Sequence, residues 1–307
     1  MTRVPTGDAT PASIVDTLKA IAAASSKAQA SFARGRCVRG TYIPSDRAAE
    51  ITKSRSFTAA SRVLARFSVD GDSRKPDTDN LVLRGFSFRV GDIDHRSDIL
   101  TQSAPVHYAR TAAQMLAYLK ARVPAADGRP DPEQLKAFST ANPETSHQAS
   151  YMAAHPLPAS FADTTYWAVH AFPATNRSDE TQFIKFKVIP VGSHAAPTDD
   201  AAGTKPGDFL DDDLQSRIAA RDIRFSLMAM LGRPGDPILD VTSRWPDEDH
   251  REAVRLGTIV ITAIETNEAC DALAFDPATL ADGIGYPPDE IFAARRAAYA
   301  MSLAQRR

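Results

Sequence analysis

Hydrophobic and polar residues alternate along several segments in the manner of half-buried β-strands. The clearest are residues 63–69 (VLARFSV), which Asp70-Gly71-Asp72 follow as a turn, and residues 81–90 (LVLRGFSFRV). The alternation is weaker in five further segments that we also predict as strands: 37–42, 165–172, 183–190, 224–231 and 256–265. Gly, Pro and Asp bound most of these segments, which is typical of strands joined by turns.

Other segments repeat their apolar residues at helical spacing. In the first of them, residues 8–27, Ile14, Leu18 and Ile21 fall on one face of a helix. Four more helices are predicted at 112–123, 131–139, 209–220 and 288–304, the last beginning after a double proline. Polar, Gly- and Pro-rich residues at 199–208 predict a loop. The mixture predicts one α+β domain over residues 1–307, with an antiparallel sheet or barrel and an N-terminal helical arm at 1–30.

Composition narrows the classes of protein that this chain can be. It has 307 residues, with 36 basic and 38 acidic side chains and a formal net charge of −2. Nucleic-acid binding would require a basic excess or stripe, so we expect no nucleic-acid partner. No run of eighteen apolar residues is present, and residues 1–30 contain no apolar signal region. We therefore expect no membrane span and, by default, a cytoplasmic location.

Motifs of the common enzyme classes are absent from the sequence. It has no GxGxxG after a strand, no Walker A motif, no HExxH and no GxSxG. The histidines do not have metal-ligand spacing, and the nearest pair, His147 and His155, is predicted to flank a loop. Cys37 and Cys270 lie far apart and form no CxxC pair. This argues against a disulfide scaffold and against a thiolate zinc site.

Six short segments, taken in order, have a specific resemblance. They are 33–35 (ARG) followed by 40–42 (GTY), then 65–68 (ARFS), 83–88 (LRGFSF), 275–277 (FDP) with 282–284 (DGI), and 295–299 (RRAAY). Their order resembles the haem catalases, and the absence of the long catalase arm makes the chain similar to the short catalase-related peroxidases. The resemblance implies a catalase-like antiparallel β-barrel with surrounding helices, and haem b as cofactor.

The resemblance implies that Tyr299 is the iron ligand. A phenol must lose its proton to bind ferric iron, and Arg295, one helical turn earlier, could lower the tyrosine pKa. Arg66, within an apolar strand, is then a partner of a haem propionate, and Arg306 is a second one. Gln29 stands where the family has a third propionate arginine. From the residues alone, an amphipathic closing helix with a surface tyrosine, and a strand-edge salt bridge at Arg66, stay open.

The family's distal histidine is absent, because Phe32 occupies its position. That histidine moves a proton between the two peroxide oxygens, which phenylalanine cannot do. The family's distal asparagine falls near Ser103, and Ser68, which would bond the histidine, is retained. We therefore expect catalase-type dismutation to be weak and the pocket to favour an organic substrate or hydroperoxide. Drift of Phe32 in a protein that retains only the fold is the alternative.

His107 and Tyr108 stand where the family has two aromatic residues facing the distal side. His107 is a candidate for a relocated distal base, or it is an ordinary hydrogen-bonded histidine at the rim. Strand alternation lets only one of the two side chains face the haem.

These observations favour a haem-dependent oxidoreductase that carries out peroxidase-type oxidation or rearrangement of an organic substrate or hydroperoxide. The alternatives are a non-catalytic haem-binding carrier or sensor, and a fold that binds no haem. The expected partner is a small-molecule substrate or peroxide. The absence of long arms favours a monomer or small homo-oligomer.

Overall fold

The structure, a computed structural model, describes residues 8–21, 32, 34–70, 82–125, 129–158, 160–192, 209–273 and 275–306. Its strands are β1 (Arg34–Pro44), β2 (Ser61–Val69), β3 (Arg84–Val90), β4 (Ser97–Gln102), β5 (Tyr166–Trp167), β6 (Phe172–Thr175), β7 (Thr181–Pro190), β8 (Ile223–Leu231) and β9 (Ala253–Ile264).

Eight of these strands form a closed antiparallel barrel. The sheet order is β5-β4-β3-β2-β1-β9-β8-β7-β6, and an additional pairing of β5 with β7 closes the ring. β6 pairs with the first residues of β7, on the same edge as β5 and opposite β8. Closure leaves few open strand edges, which is how barrels avoid edge-to-edge association. The α+β class and the antiparallel barrel core predicted from the sequence are confirmed.

Strand alternation divides the residues of β2 between the two faces of the barrel. Phe67 is fully buried among aromatic rings, stacked on Phe86 with centroids 4.4 Å apart and on Phe161 at 5.3 Å. Its neighbours Arg66 and Ser68 point to the opposite face. Aromatic residues therefore fill the barrel, and the outer face of this strand presents polar side chains to the helices that cover it.

The helices lie outside the barrel. They are α1 (Pro11–Ile21), α2 (Ala48–Ile51), α3 (Arg55–Thr58), α4 (Ala112–Lys120), α5 (Pro132–Ala141), α6 (His147–Ala154), α7 (Phe209–Ala220), α8 (Asn267–Leu273) and α9 (Glu290–Arg306), with a 3-10 turn at Pro143–Ser146. A second apolar cluster joins α1, α4 and α9 through residues such as Val15, Leu116 and Ile291. No helix among the described residues is long and apolar enough to cross a membrane.

The two cysteines form one disulfide, Cys37–Cys270, across 233 residues of sequence. It joins β1 to α8, and Asn267, the first residue of that helix, accepts a hydrogen bond from the backbone nitrogen of Cys37 at 2.9 Å. The sequence argued correctly against a scaffold of several disulfides, but it did not predict that this pair forms.

Several boundaries differ from those predicted. The segment 165–172 is not one strand but the short β5 followed, after a break, by the start of β6. His147 and His155 do not flank a loop, because α6 lies between them. β4 was not predicted, since its sequence SDILTQ lacks alternation. The predicted helix residues 22–27, the turn residues Gly71 and Asp72, and the loop 199–208 lie outside the described residues.

Candidate functional site

A cavity of about 360 Å³ lies between the outer face of the barrel and the covering helices. This volume is within the range of roughly 300–1,000 Å³ that is typical of small-molecule and cofactor sites. Helices α1, α4, α8 and α9 contribute Val15, Leu18, Ile21, Met115, Tyr118, Leu119, Cys270, Arg295, Ala298, Tyr299 and Ser302. The strands contribute Arg66, Ser68, Gly85, Ser87, Leu100, Thr101, Gln102 and Trp167.

Helix α9 presents Arg295 and Tyr299 on the same face to the cavity, together with Ala298 and Ser302. Residues four apart lie one above the other on a helix, so the spacing alone brings the guanidinium beside the phenol. The cavity thus receives both members of the predicted proximal pair.

The guanidinium of Arg295 is held by a histidine that the sequence analysis did not single out. Its Nη1 lies 3.1 Å from Nε2 of His170, and Nδ1 of His170 lies 2.9 Å from the carboxylate of Asp289. Guanidinium nitrogens only donate, so Nε2 accepts and Nδ1 carries the proton toward Asp289. Burial lowers the pKa of His170, which keeps the imidazole in this neutral form.

Asp289 also anchors the start of α9. Its carboxylate accepts a hydrogen bond from the backbone nitrogen of Phe292 at 2.8 Å, as an N-cap residue does. One buried carboxylate therefore fixes both the beginning of the helix and, through His170, the position of Arg295. A buried His–Asp contact cannot be read from a sequence separation of 119 residues.

Phe32 lies at the cavity wall with an unusual backbone conformation, φ = 51°. Bulky residues rarely adopt a positive φ, so this position is strained. The ring packs at Gly85, where a Cβ would lie 3.1 Å from Phe32 Cδ1 and 2.7 Å from the hydroxyl of Ser68. A glycine at this place leaves room for the phenyl ring.

Arg66 is buried and extends along the same wall. Its Nη1 donates a hydrogen bond to the carbonyl oxygen of Phe32 at 2.7 Å. The residue following Phe32, Ala33, lies outside the described residues, as does Gln29. Arg306 is the last residue of α9, and its side chain lies outside the described part of the chain.

Ser103 is buried but does not line the cavity. Its hydroxyl accepts from the backbone nitrogen of Arg84 at 2.9 Å, and its own nitrogen donates to the Arg84 carbonyl at 2.8 Å. The neighbouring Gln102 does line the cavity, as does Gln148, and both amides donate to the carbonyl oxygen of Val106, at 2.8 Å and 2.9 Å. The carboxamide groups at the cavity wall therefore belong to Gln102 and Gln148, and Ser103 contributes no polar group to the wall.

His107 and Tyr108 both line the cavity, because residues 103–111 are not a strand. The expectation that only one of them could do so is wrong for this reason. The two rings stack at 4.1 Å, and Nδ1 of His107 lies 3.1 Å from the backbone nitrogen of Ala109. Burial, assisted by the positive charge of Arg295, lowers the pKa of His107 to about 3.

The stack continues through two residues that the sequence analysis did not select. Tyr118 stacks on Tyr108 at 4.1 Å, and the Arg122 guanidinium carbon lies 3.4 Å from the centroid of the Tyr118 ring. Both also line the cavity. The spacing of four residues between Tyr118 and Arg122, one helical turn, is the signal that could have identified them, but such pairs are common on the surfaces of helices.

The wall has the chemistry that a haem requires. Tyr299 offers a phenol oxygen, Arg66 and Arg122 offer guanidinium groups of the kind that pair with carboxylates, and α1 and α4 offer apolar surface for a porphyrin. Because residue 85 is a glycine, no side chain projects into the cavity from that part of its wall. Within the described ranges, no cluster of three or more His, Cys, Asp or Glu residues could hold a metal ion by itself.

Comparisons with known proteins agree with this geometry. The family model for catalase matches residues 14–307. The catalase-related peroxidase of Synechococcus elongatus is 30% identical over 278 residues, covering 89% of this chain and 81% of its own length. That of Mycolicibacterium paratuberculosis is 26% identical over 303 residues, covering 97% of this chain and 95% of its own.

Solved catalases have the same fold. A fungal catalase aligns with a TM-score of 0.80 at 19% identity, and a bacterial catalase with 0.80 at 21% identity, each over 90% of this chain. The chain spans 59% and 57% of the lengths of those two proteins. The family model covers nearly the whole chain, so the protein belongs to the catalase family of haem oxidoreductases.

Proposed function

We propose that this protein is a haem b enzyme with tyrosinate-ligated ferric iron and peroxidase-type activity on an organic substrate or hydroperoxide. The observation that carries the proposal is the convergence, on one cavity, of Tyr299, Arg295 and Arg66 with the apolar Phe32. The names of the two relatives, both catalase-related peroxidases, support the same activity. A single catalase-like haem domain over residues 1–307 is part of the proposal.

Tyr299 would hold the iron, and the contacts from Asp289 through His170 would hold Arg295 in place on the same helix. Because Nε2 of His170 accepts from Arg295, the guanidinium is oriented without losing its charge. Arg295 would thus contribute a fixed positive charge to the wall that also carries Tyr299. When bound, the ferric haem supplies the redox chemistry that cleaves the O–O bond.

Arg66 and Arg122 would bind the haem propionates, with Arg306 as a third candidate. Arg122 contacts Tyr118 through the ring and the backbone carbonyl oxygen, and both of these groups are neutral. Burial lowers the pKa of Arg122, so a carboxylate partner would relieve the cost of its partial desolvation.

In the described part of the wall, position 32 carries a phenyl ring in place of the imidazole that would move a proton in peroxide dismutation. His107 does not replace it, because a pKa of about 3 makes its imidazole a weak base at neutral pH. Ser68 and Gln102 are among the polar groups of the cavity wall that would orient a bound oxygen. Weak catalase activity and a preference for an organic ligand follow, since an apolar wall desolvates an apolar substrate at little cost.

A non-catalytic haem carrier or sensor is the second candidate. The strained Phe32 at the cavity wall favours it, because a ring fixed there would restrict the entry of a substrate. The two are separated by loading the full chain with hemin and measuring steady-state oxidation of a phenolic donor by cumene hydroperoxide. Turnover that saturates with hydroperoxide and falls in Phe32→Trp, which fills the wall, supports the enzyme. Stoichiometric hemin binding without turnover supports the carrier.

Two expectations about context remain proposals. The small oligomer or monomer expected from the sequence is tested by light scattering of the purified chain. A cytoplasmic location would expose the protein to thiol reductants that keep most cysteines reduced. The state of the Cys37–Cys270 pair would then depend on what enters the cavity.

A further inference from the structure

The disulfide lies at the wall of the cavity, not at a distance from it. Cys270 is one of the cavity-lining residues, whereas its partner Cys37 is fully buried behind it. The sulfur of Cys270 lies 3.3 Å from the carbonyl oxygen of Ala65, an acceptor that a thiol proton would use in the reduced state. Cys270 therefore borders the cavity, although both cysteines are buried, and the sulfur of Cys37 is placed to react with that of Cys270.

An arginine side chain lies on the same face of the sheet as the pair. Cys37 is directly opposite Arg66 in the antiparallel ladder of β1 and β2. Directly opposed residues have Cβ atoms about 4.5–5.5 Å apart on the same face of a sheet. Arg66 lines the same cavity, so its guanidinium lies on the side of the sheet that carries the two sulfurs. Neighbouring cations favour the thiolate form, which is the reactive form of cysteine.

Helix α8, which carries Cys270, contacts the barrel at β1 and β2. Asn267 and Cys270 in α8 contact β1 and β2, and Phe275, just beyond the helix, also lines the cavity. A disulfide in a reducing compartment is usually transient and either catalytic or redox-sensing. A disulfide that faces a peroxide cavity fits the catalytic case.

We propose that Cys270 and Cys37 form a dithiol–disulfide couple that reduces a hydroperoxide inside the cavity, so that the chain has thiol peroxidase activity of its own. The inference deepens the proposed function by naming a source of two electrons, and it rests on that function only for the entry of a hydroperoxide.

The chemistry balances in two steps. The sulfur of Cys270 attacks the terminal oxygen of ROOH, an S–O bond forms, the O–O bond breaks, and ROH leaves with the proton. The sulfur of Cys37 then attacks the sulfur of Cys270, the S–S bond forms, the S–O bond breaks, and water leaves. Two thiols and one hydroperoxide thus give a disulfide, an alcohol and water. An external dithiol returns the pair to thiols by exchange.

The chain makes this proposal simple to test, because it has only 2 cysteines and every thiol measured belongs to the pair. The full-length protein is reduced with dithiothreitol under native conditions, desalted without oxygen, and mixed with cumene hydroperoxide. Free thiols are counted with a chromogenic disulfide after denaturation, cumyl alcohol is quantified, and linked peptides are identified by mass spectrometry.

We expect two thiols to be lost for each alcohol formed, with the Cys37–Cys270 peptide as product. The Cys270→Ala variant should keep its Cys37 thiol, with oxidation at least about tenfold slower, because that thiol is screened from the cavity. In Cys37→Ala, Cys270 should stop at the sulfenic acid and be trapped by dimedone. Cys→Ser variants at both positions repeat the test if an alanine variant does not fold.

Three results would overturn the inference and leave the disulfide as a structural staple. They are wild-type thiols that survive the hydroperoxide, equal rates of thiol loss in wild type and Cys270→Ala, and a native disulfide that dithiothreitol cannot reduce. Failure of the proposed function is read separately. The double variant Cys37→Ala, Cys270→Ala is loaded with hemin, and its oxidation of the phenolic donor is measured in the absence of thiols. If this variant shows no Soret band, the proposed haem function fails, while the thiol result stands.

Discussion

Nη1 of Arg295 donates a hydrogen bond to Nε2 of His170 at 3.1 Å, one helical turn before Tyr299 on the same face of α9. The other imidazole nitrogen contacts the carboxylate of Asp289 at 2.9 Å. A buried acid, which is 1% exposed, therefore sets the tautomer of a histidine that in turn orients the cation beside the candidate iron ligand. Several expectations depend on this arrangement.

Replacing Asp289 with asparagine should destabilise the protein by about 2 kcal/mol, because it removes the charge from a buried carboxylate that accepts hydrogen bonds from His170 and from the backbone of Phe292. The substitution also weakens the N-cap of α9. The free energy of unfolding is measured in urea. Asp282→Asn, at an exposed position near the same segment, is the matched control and should change stability by less than about 0.5 kcal/mol. Equal losses in the two variants would contradict this role of Asp289.

Phe32→His should increase the release of oxygen from hydrogen peroxide by about 10²-fold or more, because it restores a proton-transfer group at the cavity wall. Histidine tolerates a positive φ better than phenylalanine does, so the exchange suits φ = 51°. Ser68 lies close enough to Gly85 and Phe32 to contact an imidazole there. Phe32→Leu, which keeps the wall apolar, is the control. Oxygen release that is the same in both variants would show that the wall does not limit the reaction.

Acidification should destabilise the fold through His107. Burial lowers the folded-state pKa of this residue to about 3, so between that value and about 6.5 the unfolded chain binds the proton and the folded chain does not. Stability is complete above the unfolded pKa and is lost as the pH falls toward the folded one. Between pH 7 and pH 5 the loss from one such group is about 2 kcal/mol.

His107→Asn should therefore reduce the dependence of unfolding free energy on pH over that interval. The asparagine amide can keep the contact with the backbone of Ala109 while it removes the titrating group. Part of the dependence should persist, because burial lowers the pKa of His170 as well. Urea unfolding at the two pH values measures both. An unchanged dependence in the variant would mean that His107 is accessible to protons in the folded state.

Substitutions at Ser103 and at Gln102 should affect different properties, stability in the first case and hydroperoxide kinetics in the second. Ser103→Ala removes a hydrogen bond to the backbone of Arg84, so it should cost about 1 kcal/mol of stability and leave hydroperoxide kinetics unchanged. Gln102→Leu changes the cavity wall and should alter the KM for the hydroperoxide. A kinetic effect at Ser103 that is larger than the one at Gln102 would favour the assignment made from the sequence.

The barrel could be predicted because its strands alternate between two environments. In residues 63–69, Phe67 faces the aromatic interior while Arg66 and Ser68 face the helices. β4 could not be predicted in this way. Its buried Asp98 accepts two hydrogen bonds of 2.6 Å from Arg89 on β3, and a pairing across strands leaves no local pattern in the sequence.

The site was predictable where one element carries it. Arg295 and Tyr299 are four residues apart on a helix, so their shared face follows from helical geometry. His170, Asp289 and the Cys37–Cys270 pair depend on how distant segments meet, which sequence spacing does not show. Ser103 was selected by correspondence of position, and the chain turns there so that its hydroxyl contacts the backbone of Arg84.

The visible absorption spectrum of the hemin-loaded protein, compared with that of Tyr299→Phe, tests the central claim most directly. Tyr286→Phe, which changes an exposed tyrosine whose hydroxyl donates to the carbonyl of Ala278, is the control. We predict a Soret band and charge-transfer bands of a phenolate-ligated ferric haem in the wild type and the control, and their loss or displacement in Tyr299→Phe. A protein that binds no hemin, or a spectrum that is identical without the Tyr299 hydroxyl, would contradict the account.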